Sequence, residues 1–424
     1  MSAPFSPDPS CQDPVEAPEL KPVDEARHAL FQAVSVVPGE GEVALSAARG
    51  RVLSADVVAR ADVPGHNNSA MDGFAVRAAD LPEVGSSAEF EIVASAWAGQ
   101  PATVPVAAGE AVQVTTGAVM PRGADTVVIQ ERVRRDASRL TVLGGERAHA
   151  NVRLAGEDIR RGEVALRAGV RLGAAEIGFL ASLGVARVAV HRRLRVALFS
   201  TGDELVALES GRALAAGEVY DSNRYSVTAA LADLDVDLVD LGIVADDAEA
   251  TRKAFERAAR DADVVIATGG ASVSEADHVA RTLREMGEVT FWRVAMRPGR
   301  PLASGRVGQA QFFGLPGNPV ATLVSYYQFV QPALKKMMGM DELFPPVFKA
   351  RCQSALKKSA GRVEYQRGVV GQVDGEVVVH TTGRQGAGRL SSMVQANCFI
   401  VLHADQSGVE TGDWVDVQPF DALC

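Results

Sequence analysis

One stretch of the chain, Asp263–Asp277, combines glycines with acidic and hydroxyl side chains directly after an apolar run, DVVIATGGASVSEAD. This pattern predicts a buried strand, a tight turn and the start of a helix. The glycines let the backbone approach a ligand closely, and free N–H groups at a helix start favour an anion. Glu275 and Asp277 add carboxylates by which a divalent cation could bridge to that anion. The alternative is an ordinary strand-to-helix turn with Asp277 as its N-cap.

Comparable turns follow the neighbouring predicted strands. Val196–Phe199 runs into Ser200–Glu204, and Gln311–Leu315 runs into Pro316–Pro319. Between these strands the pattern predicts helices, so the segment is a doubly wound α/β sheet. Because ligands bind at the carboxyl ends of the strands in such folds, these turns are expected to share one site.

The side chains on these turns are carboxylates and guanidinium groups. The acids are Asp203, Glu204, Glu218, Asp221, Asp246, Glu275 and Asp277, and the arginines are Arg293, Arg297 and Arg300. Carboxylates suit Mg²⁺ bound to a substrate phosphate, and arginine forks suit oxyanions, so this inventory favours phosphate chemistry with a metal. Helix capping remains the alternative for Asp221 and Asp246, and Arg293 could simply face solvent. The segment lacks the P-loop, dinucleotide-binding and nucleophile-elbow patterns.

The elements that must position these residues follow from hydrophobic periodicity. Helices are predicted at Val23–Val37, Ala174–Leu183, Arg224–Leu234, Ala248–Arg260, His278–Met286 and Val320–Met338. Asp246 and Asp247 are expected to cap the helix that begins at Ala248. Residues 51–170 read as all-β, with short β-branched runs such as Glu91–Ser95, Ala111–Thr115, Thr126–Gln130 and Leu140–Leu143. After Pro346 the chain returns to a β pattern, at Gly375–His380 and Phe399–His403.

Composition narrows the class of protein. The 424 residues suffice for roughly three domains, and prolines crowd the first 22 residues, which predicts a disordered tail. The formal charge of -10 argues against a general nucleic-acid binder. The four cysteines form no C-x-x-C pair, and no apolar run approaches the roughly 18 residues of a membrane span. A reduced, cytoplasmic protein without a membrane partner is therefore expected.

Six motifs together resemble those of the molybdopterin molybdenumtransferase (MoeA) family, which includes the E domain of gephyrin and that of its plant counterpart. They are Ser69–Ala75, Ser200–Leu205, Tyr220–Asn223, Gly269–Val273, Pro298–Pro301 and Leu315–Pro319. The motifs stand in family order, and the resemblance covers the chain from about residue 24 to 420.

The resemblance implies a multidomain fold of α/β plus β class. The expected parts are a tail at 1–22, a linker and helical dimerisation region at 23–50 and 150–190, an inserted all-β domain at 51–149, a doubly wound, MogA-like α/β domain at 191–340 and a small C-terminal β domain at 341–424. It also implies a homodimer in which each active cleft draws residues from both protomers.

The activity implied by the resemblance is insertion of molybdate into adenylated molybdopterin, with Mg²⁺ as the divalent cation and release of AMP. Asp72, from the partner protomer, Glu204, Asp246 and Asp277 would be catalytic, and the last three would hold the metal. Substrate would be bound by Thr116, Asp158, Glu218, Asp221, Ser222, Asn223, Gly269, Gly270, Ser272, Arg293, Pro316, Gly317, Asn318 and Pro319. Molybdate would be bound by Arg297, Arg300, Arg367 and Ser392. The molybdopterin adenylyltransferase and enzymes that accept the cofactor are possible protein partners.

Two other functions compete with the transferase. A molybdopterin adenylyltransferase would share the α/β module, but its usual T-G-G-T-G signature is replaced here by Thr268–Ser272. A non-catalytic, gephyrin-like scaffold would not require Asp72, Glu204 and Asp277 together. The chain also departs from the family pattern, which often has lysine where Arg293, Arg297 and Arg300 stand. Arginine keeps the charge but changes reach and geometry.

Overall fold

A computed structural model describes residues 20–269 and 278–420. The chain divides into two compact units. Of the described residues, the larger unit comprises 20–41, 50–52, 190–269 and 278–420, and the smaller comprises Glu42–Arg49 and Leu53–Ala189. In the described ranges, no helix has the length and apolar character needed to cross a membrane.

The described residues of the larger unit contain a six-stranded central sheet. Its strands lie in the order Asp237–Val244, Arg195–Thr201, Val264–Thr268, Ala310–Leu315, Pro301–Val307 and Gly287–Arg293. The first four are parallel, and the last two add antiparallel strands at one edge. Val264–Thr268 is buried along its whole length, as expected for a parallel strand covered on both faces.

Helices cover both faces of this sheet. Successive strand residues, such as Val264 and Val265, belong to two separate apolar clusters, because their side chains point to opposite faces of the sheet. Helices Val23–Ala33, Ser222–Ala232 and Pro319–Ser325 contribute residues to the first cluster, as do the π-helical turn Tyr326–Val330 and helix Gln331–Met337. Helices Ala248–Asp261 and His278–Met286 contribute to the second. The predicted doubly wound α/β domain is confirmed.

Two details of the predicted helices are wrong. The first helix ends at Ala33, and Val34 is already extended. The run from Val34 to Val37 is rich in β-branched residues and precedes Pro38, and both features disfavour the helical conformation. Asp247 alone caps the helix at Ala248, since its carboxylate accepts hydrogen bonds from Glu249 N and Ala250 N.

The end of the larger unit forms a small barrel. Strands Val363–Val373, Glu376–Thr381, Phe348–Cys352, Trp414–Pro419 and Cys398–Leu402 pair in that order, and the last pairs again with the first. Met296–Arg297 adds in parallel to Val363 and Glu364. A short pair joins Leu356–Lys357 to Gly408–Val409, and a helical turn spans Ser391–Val394. Outside the barrel, Leu205–Val206 pairs with Val219–Tyr220. The prediction of a small C-terminal β domain is confirmed.

The described residues of the smaller unit are mainly β. Its six-stranded sheet has the order Thr126–Ile129, Gly73–Val76, Glu110–Val114, Ser87–Ala96, Arg139–Leu143 and Val133–Asp136. Two-stranded pairs join Asn68–Ser69 to Val152–Arg153 and Val57–Val58 to Val164–Leu166. The predicted helix is present at Ala174–Ser182, and Gly184 follows it with a φ of 73°. The inserted all-β domain is confirmed.

Candidate active site

The carboxyl ends of three parallel strands of the central sheet meet in the larger unit. Gly269 N donates a hydrogen bond to Leu315 O at 3.0 Å, which ties the end of one strand to the next. A Cβ at Gly269 would lie 2.5 Å from Thr201 O, and its φ is 90°, so only glycine fits this turn. The turn begins where the sequence predicts it. Gly270, Ser272 and Asp277 lie outside the described residues.

The Pro316–Pro319 loop lies beside this turn. Asn223 Nδ2 donates to Gly317 O at 2.7 Å, so the Tyr220–Asn223 motif contacts the loop. Asn223 Oδ1 is buried and has no hydrogen-bond partner within the described part of the chain. The Cα of Gly269 lies 4.0 Å from where a Cβ of Gly317 would stand. These predicted substrate-binding segments therefore adjoin one another.

Acidic side chains lie at the same edge of the sheet. Asp203 Oδ1 accepts a hydrogen bond from Asp246 N at 3.3 Å, which brings two of the strand-end turns together. Asp247 is the N-cap of the following helix, so the Asp246 carboxylate is not used for capping. Glu204 is exposed, and its carboxylate lies over Gly202. No group of three or more metal-ligating residues occurs within residues 20–269 and 278–420.

Two of the predicted substrate-binding acids are engaged by the protein itself. Asp221 is 1 % exposed, caps helix Ser222–Ala232 and pairs with Arg224 Nε at 3.1 Å. Glu218 accepts hydrogen bonds from Arg212 and from Ala215 N, and these lower its pKa to about 2. The carbonyl of Ser222 accepts a bond from Ser226 within the helix. These contacts hold the segment from Glu218 to Asn223 in place.

The arginine set surrounds a sharp turn. Gly299 has a φ of 96°, and a Cβ there would lie 2.7 Å from Ser325 Oγ, so the turn packs directly on a helix. Arg297 is exposed and lies 3.6 Å from Glu364. The carbonyl of Arg300 accepts from Val294 N at 2.8 Å. Arg293 is half-buried at the end of the edge strand, and its carbonyl accepts from Lys21 N.

A pocket of about 220 Å³ opens between this turn and the barrel. Arg297 and Pro298 line it from one side and Arg367 from the other. Arg367 is 1 % exposed, and its Nε donates to Ser392 Oγ at 3.2 Å while Nη1 donates to Tyr365 O at 3.3 Å. Its buried Nη2 has no hydrogen-bond partner among the described residues.

The charge of Arg367 is costly in this position. Burial lowers the pKa of its guanidinium to about 10, and the nearby charge of Arg297 contributes to the fall. The carboxylate of Glu364 raises the pKa of Arg367, but by less than burial and Arg297 lower it. A buried cation with an unpaired N–H is stabilised by an anion that enters the pocket. The pocket is therefore suited to an oxyanion.

Several residues that line the pocket were not singled out from the sequence. Glu364, Gln366, Lys357 and Gln385 are among them. Gln385 stands in a segment that contains Gly383, Gly386 and Gly388, and such a glycine-rich pattern predicts a loop without pointing to one residue in it. Gln385 reaches the pocket through contacts between the barrel strands and this loop. The local sequence does not predict such contacts.

In the smaller unit, the loops that carry Asp72, Thr116 and Asp158 come together. Asp72 Oδ1 accepts hydrogen bonds from Thr116 N at 2.7 Å and Thr116 Oγ1 at 2.9 Å. These bonds lower the pKa of Asp72, so the exposed carboxylate stays ionised. Ala70 N donates to Asn151 O, which joins the Asp72 loop to the segment that leads to Asp158. Asp158 is exposed, and its N–H donates to Val63 O.

Family models match three consecutive parts of the chain. Residues 21–184 match the MoeA N-terminal region (domain I and II), residues 197–336 a probable molybdopterin binding domain, and residues 349–420 the MoeA C-terminal region (domain IV).

Known proteins are similar over nearly the whole chain. A molybdopterin molybdenumtransferase of Haemophilus influenzae is 38 % identical over 404 residues, which cover 95 % of this chain and 99 % of that protein. One from a Nostoc species is 38 % identical over 87 % of this chain and 86 % of that protein. The crystal structure of a molybdopterin biosynthesis MoeA protein from Pyrococcus horikoshii has a TM-score of 0.82 and 27 % identity, and covers 95 % of this chain and 100 % of that one.

Proposed function

Because this chain belongs to the MoeA family, we propose that it is a molybdopterin molybdenumtransferase, which inserts molybdate into adenylated molybdopterin and releases AMP. The reaction contributes to molybdenum cofactor biosynthesis. The observation that carries the proposal is the buried guanidinium of Arg367, which lines a pocket and keeps one nitrogen without a protein partner in the described ranges.

The oxyanion is held by this chain's cationic and hydroxyl groups. Arg367 Nη2 donates to one oxygen of molybdate, and Arg297 leaves its loose contact with Glu364 to neutralise the second charge. Ser392 holds the Arg367 side chain in place through Nε. Arg300 belongs to the same turn as Arg297 and completes the set.

The nucleotide and pterin phosphates bind at the adjoining edge of the central sheet. Gly269 and the Pro316–Pro319 loop allow their backbones to approach the phosphates closely, and Asn223 Oδ1 is an acceptor for a substrate donor. The loop also meets the barrel, since Val320 N donates to Ala387 O at 3.0 Å. Phosphates and oxyanion are thus held by one unit of the protein.

A divalent cation suits the oxygen donors at this edge. Glu204, Asp246 and Asp277 would hold Mg²⁺, with Asp203 beside Asp246 as a further carboxylate. When bound, the ion would neutralise the charge that develops on the departing AMP. Asp203 orders the turn that carries Asp246, because its carboxylate accepts a hydrogen bond from Asp246 N.

The decisive experiment mixes the purified protein with adenylated molybdopterin, molybdate and Mg²⁺ and measures AMP by chromatography. AMP release that requires molybdate is expected, and a chelator should stop it. A folded protein that releases no AMP would refute the transferase and leave the scaffold as the better explanation. In a separate assay with molybdopterin and ATP, formation of the adenylated pterin with release of pyrophosphate would instead favour the adenylyltransferase.

We further propose that the active form is a cytoplasmic homodimer in which Asp72 of one protomer serves the pocket of the other. Asp72 is preorganised by Thr116 and ionised, as a catalytic carboxylate requires. Mixing the inactive variants Asp72→Asn and Arg367→Met tests this, because a mixed dimer has one pocket with both residues intact. Activity that stays absent after subunit exchange would argue against a shared site.

A further inference from the structure

Gln385 lies beside Arg367, at the point where the strand that carries this arginine begins to pair with its neighbour. Strand Val363–Val373 pairs with Glu376–Thr381 only from Gly368 onward, where Gly368 lies opposite Thr381. Arg367 stands one residue before this point. Gln385 Oε1 accepts a hydrogen bond from Arg367 N at 2.7 Å, and Nε2 donates to Arg367 O at 3.1 Å. Thr382 N and Oγ1 also donate to Arg367 O, at 3.1 and 3.3 Å, so Gln385 supplies the acceptor for Arg367 N and shares the Arg367 carbonyl with Thr382.

The amide of Gln385 is itself held in place. Nε2 also donates to Thr381 Oγ1 at 2.8 Å, and Thr381 is the last residue of the neighbouring strand. Gln385 and Thr381 both line the pocket. The contact thus joins two strands of the barrel at the pocket's edge.

Gln385 also begins a segment that returns to the same arginine. We call residues 383–392 the strap. Near its start Gln385 binds the Arg367 main chain, and at its end Ser392 Oγ accepts from Arg367 Nε at 3.2 Å. Ser392 Oγ donates in turn to Arg389 O at 2.7 Å. The strap therefore determines both the position of the Arg367 backbone and the direction of its guanidinium.

The middle of the strap has a separate attachment. Val320 N, at the start of the helix after the Pro316–Pro319 loop, donates to Ala387 O at 3.0 Å. This bond does not involve Gln385. Loosening the Gln385 end should therefore disturb the oxyanion pocket and leave the adjoining phosphate loop in place.

We propose that Gln385 is a positioning residue of the oxyanion pocket, which acts by holding Arg367 at the distance and angle that molybdate requires. The inference rests on the proposed function, because it takes the oxyanion to be molybdate. A displaced Arg367 loses most of a charge-assisted hydrogen bond to the oxyanion, which is worth on the order of tenfold in affinity. Loss of both amide bonds should therefore raise the KM for molybdate by about tenfold or more.

The test is Gln385→Met, which keeps the side chain's length and removes its hydrogen bonds. The KM for molybdate should rise about tenfold or more, while kcat at saturating molybdate and the KM for adenylated molybdopterin stay near wild type. Gln372→Met is the matched control, since Gln372 lies on the same strand and binds only the turn carbonyl of Gly375 among the described residues. Equal values for Gln385→Met and wild type would overturn the proposal, as would an equal rise in the control.

Equilibrium dialysis with molybdate alone separates this inference from the proposed function. If the wild type binds molybdate but releases no AMP, the transferase fails, and Gln385 is still judged by the molybdate Kd. Should Gln385→Met fail to fold, Thr381→Val replaces it, because it removes the nearest of the acceptors that orient Gln385 Nε2, which also reaches Gly383 O at 3.2 Å. Weaker molybdate binding in Thr381→Val, with binding retained in Thr381→Ser, supports the proposal; unchanged binding in Thr381→Val overturns it.

Discussion

Replacing Arg367 with methionine should separate stability from oxyanion binding. Arg367 is fully buried, and its pKa has fallen to about 10, chiefly through burial. Keeping such a guanidinium charged at neutral pH costs about 3 kcal/mol relative to an ordinary arginine, since each tenfold change is worth about 1.4 kcal/mol. Methionine is of similar length and carries no charge. The substitution therefore removes this cost.

The same change removes two hydrogen bonds, to Ser392 Oγ and Tyr365 O. Each contributes about 1 kcal/mol to stability. Because the cost of the buried charge exceeds what the two hydrogen bonds contribute, the free energy of unfolding of Arg367→Met should be unchanged or about 1 kcal/mol higher. Molybdate binding should be lost, because the unpaired Nη2 is its principal buried donor.

Urea unfolding followed by circular dichroism, with and without molybdate, measures both effects. At a concentration about 100 times its Kd, molybdate should stabilise the wild type by about 2.7 kcal/mol and leave Arg367→Met unaffected. Arg351→Met is the matched control, because Arg351 pairs with Glu376 at 3.1 Å on the same barrel but does not line the pocket. Its response to molybdate should equal that of the wild type.

Loss of about 3 kcal/mol or more in Arg367→Met would refute the reasoning. Such a loss is typical when one partner of a buried ion pair is removed. It would mean that the protein itself satisfies the charge, so that no oxyanion is needed.

Three further predictions concern the neighbouring groups. Asp72→Asn should abolish AMP release without unfolding the protein, because the exposed amide can still accept from Thr116, and circular dichroism with an AMP assay checks both. Hydrogen bonds from Arg212 and the backbone hold the pKa of Glu218 at about 2, so its carboxyl signal in NMR should stay constant between pH 7 and pH 4. Any stability from this depressed pKa is present above the unfolded value of about 4.3 and is lost only as the pH falls towards 2. Gly299→Ala should lower the free energy of unfolding by at least about 1 kcal/mol and weaken molybdate binding, because its φ is 96° and the Cβ would lie 2.7 Å from Ser325 Oγ.

Each of these three has an outcome that contradicts it. Wild-type turnover in Asp72→Asn would remove its catalytic role. A Glu218 titration midpoint near pH 4 would show that the bonds from Arg212 do not persist in solution. For Gly299, the control is Gly371→Ala, where a Cβ meets nothing within 4 Å; equal stability of the two variants would argue against the tight turn.

The positions of the main elements follow from local pattern. The apolar run Val264–Ala267, followed by glycine, predicts a buried strand and a turn, and the structure has a buried strand there that ends at Thr268. Likewise, Gln311–Leu315 precedes the Pro316–Pro319 loop as expected. These predictions succeed because strand burial and turn chemistry depend on residues close together in sequence.

Choices between neighbouring residues depend on packing. Asp246 and Asp247 are equally plausible caps by sequence, but the chain enters the helix with Asp247 at the N-cap and leaves Asp246 N bonded to Asp203. Asp221 stands in a motif of the family, yet its burial beside Arg224 shows a contact that holds the helix start. A one-residue difference in backbone path decides such roles.

The sequence by itself determined the fold class, the order of the domains and the turns that end the strands. All of these can be predicted from short-range patterns and from motifs. Only the tertiary structure decided that Gln385 lies beside Arg367 at the pocket, that Ser392 bonds Arg367 Nε, and that the Arg367 guanidinium keeps a nitrogen free of described partners. These contacts join residues up to 25 positions apart through barrel pairing and a returning loop. Burial, unpaired donors and the pKa of a guanidinium depend on what surrounds a side chain in space, which residue types and spacing do not specify.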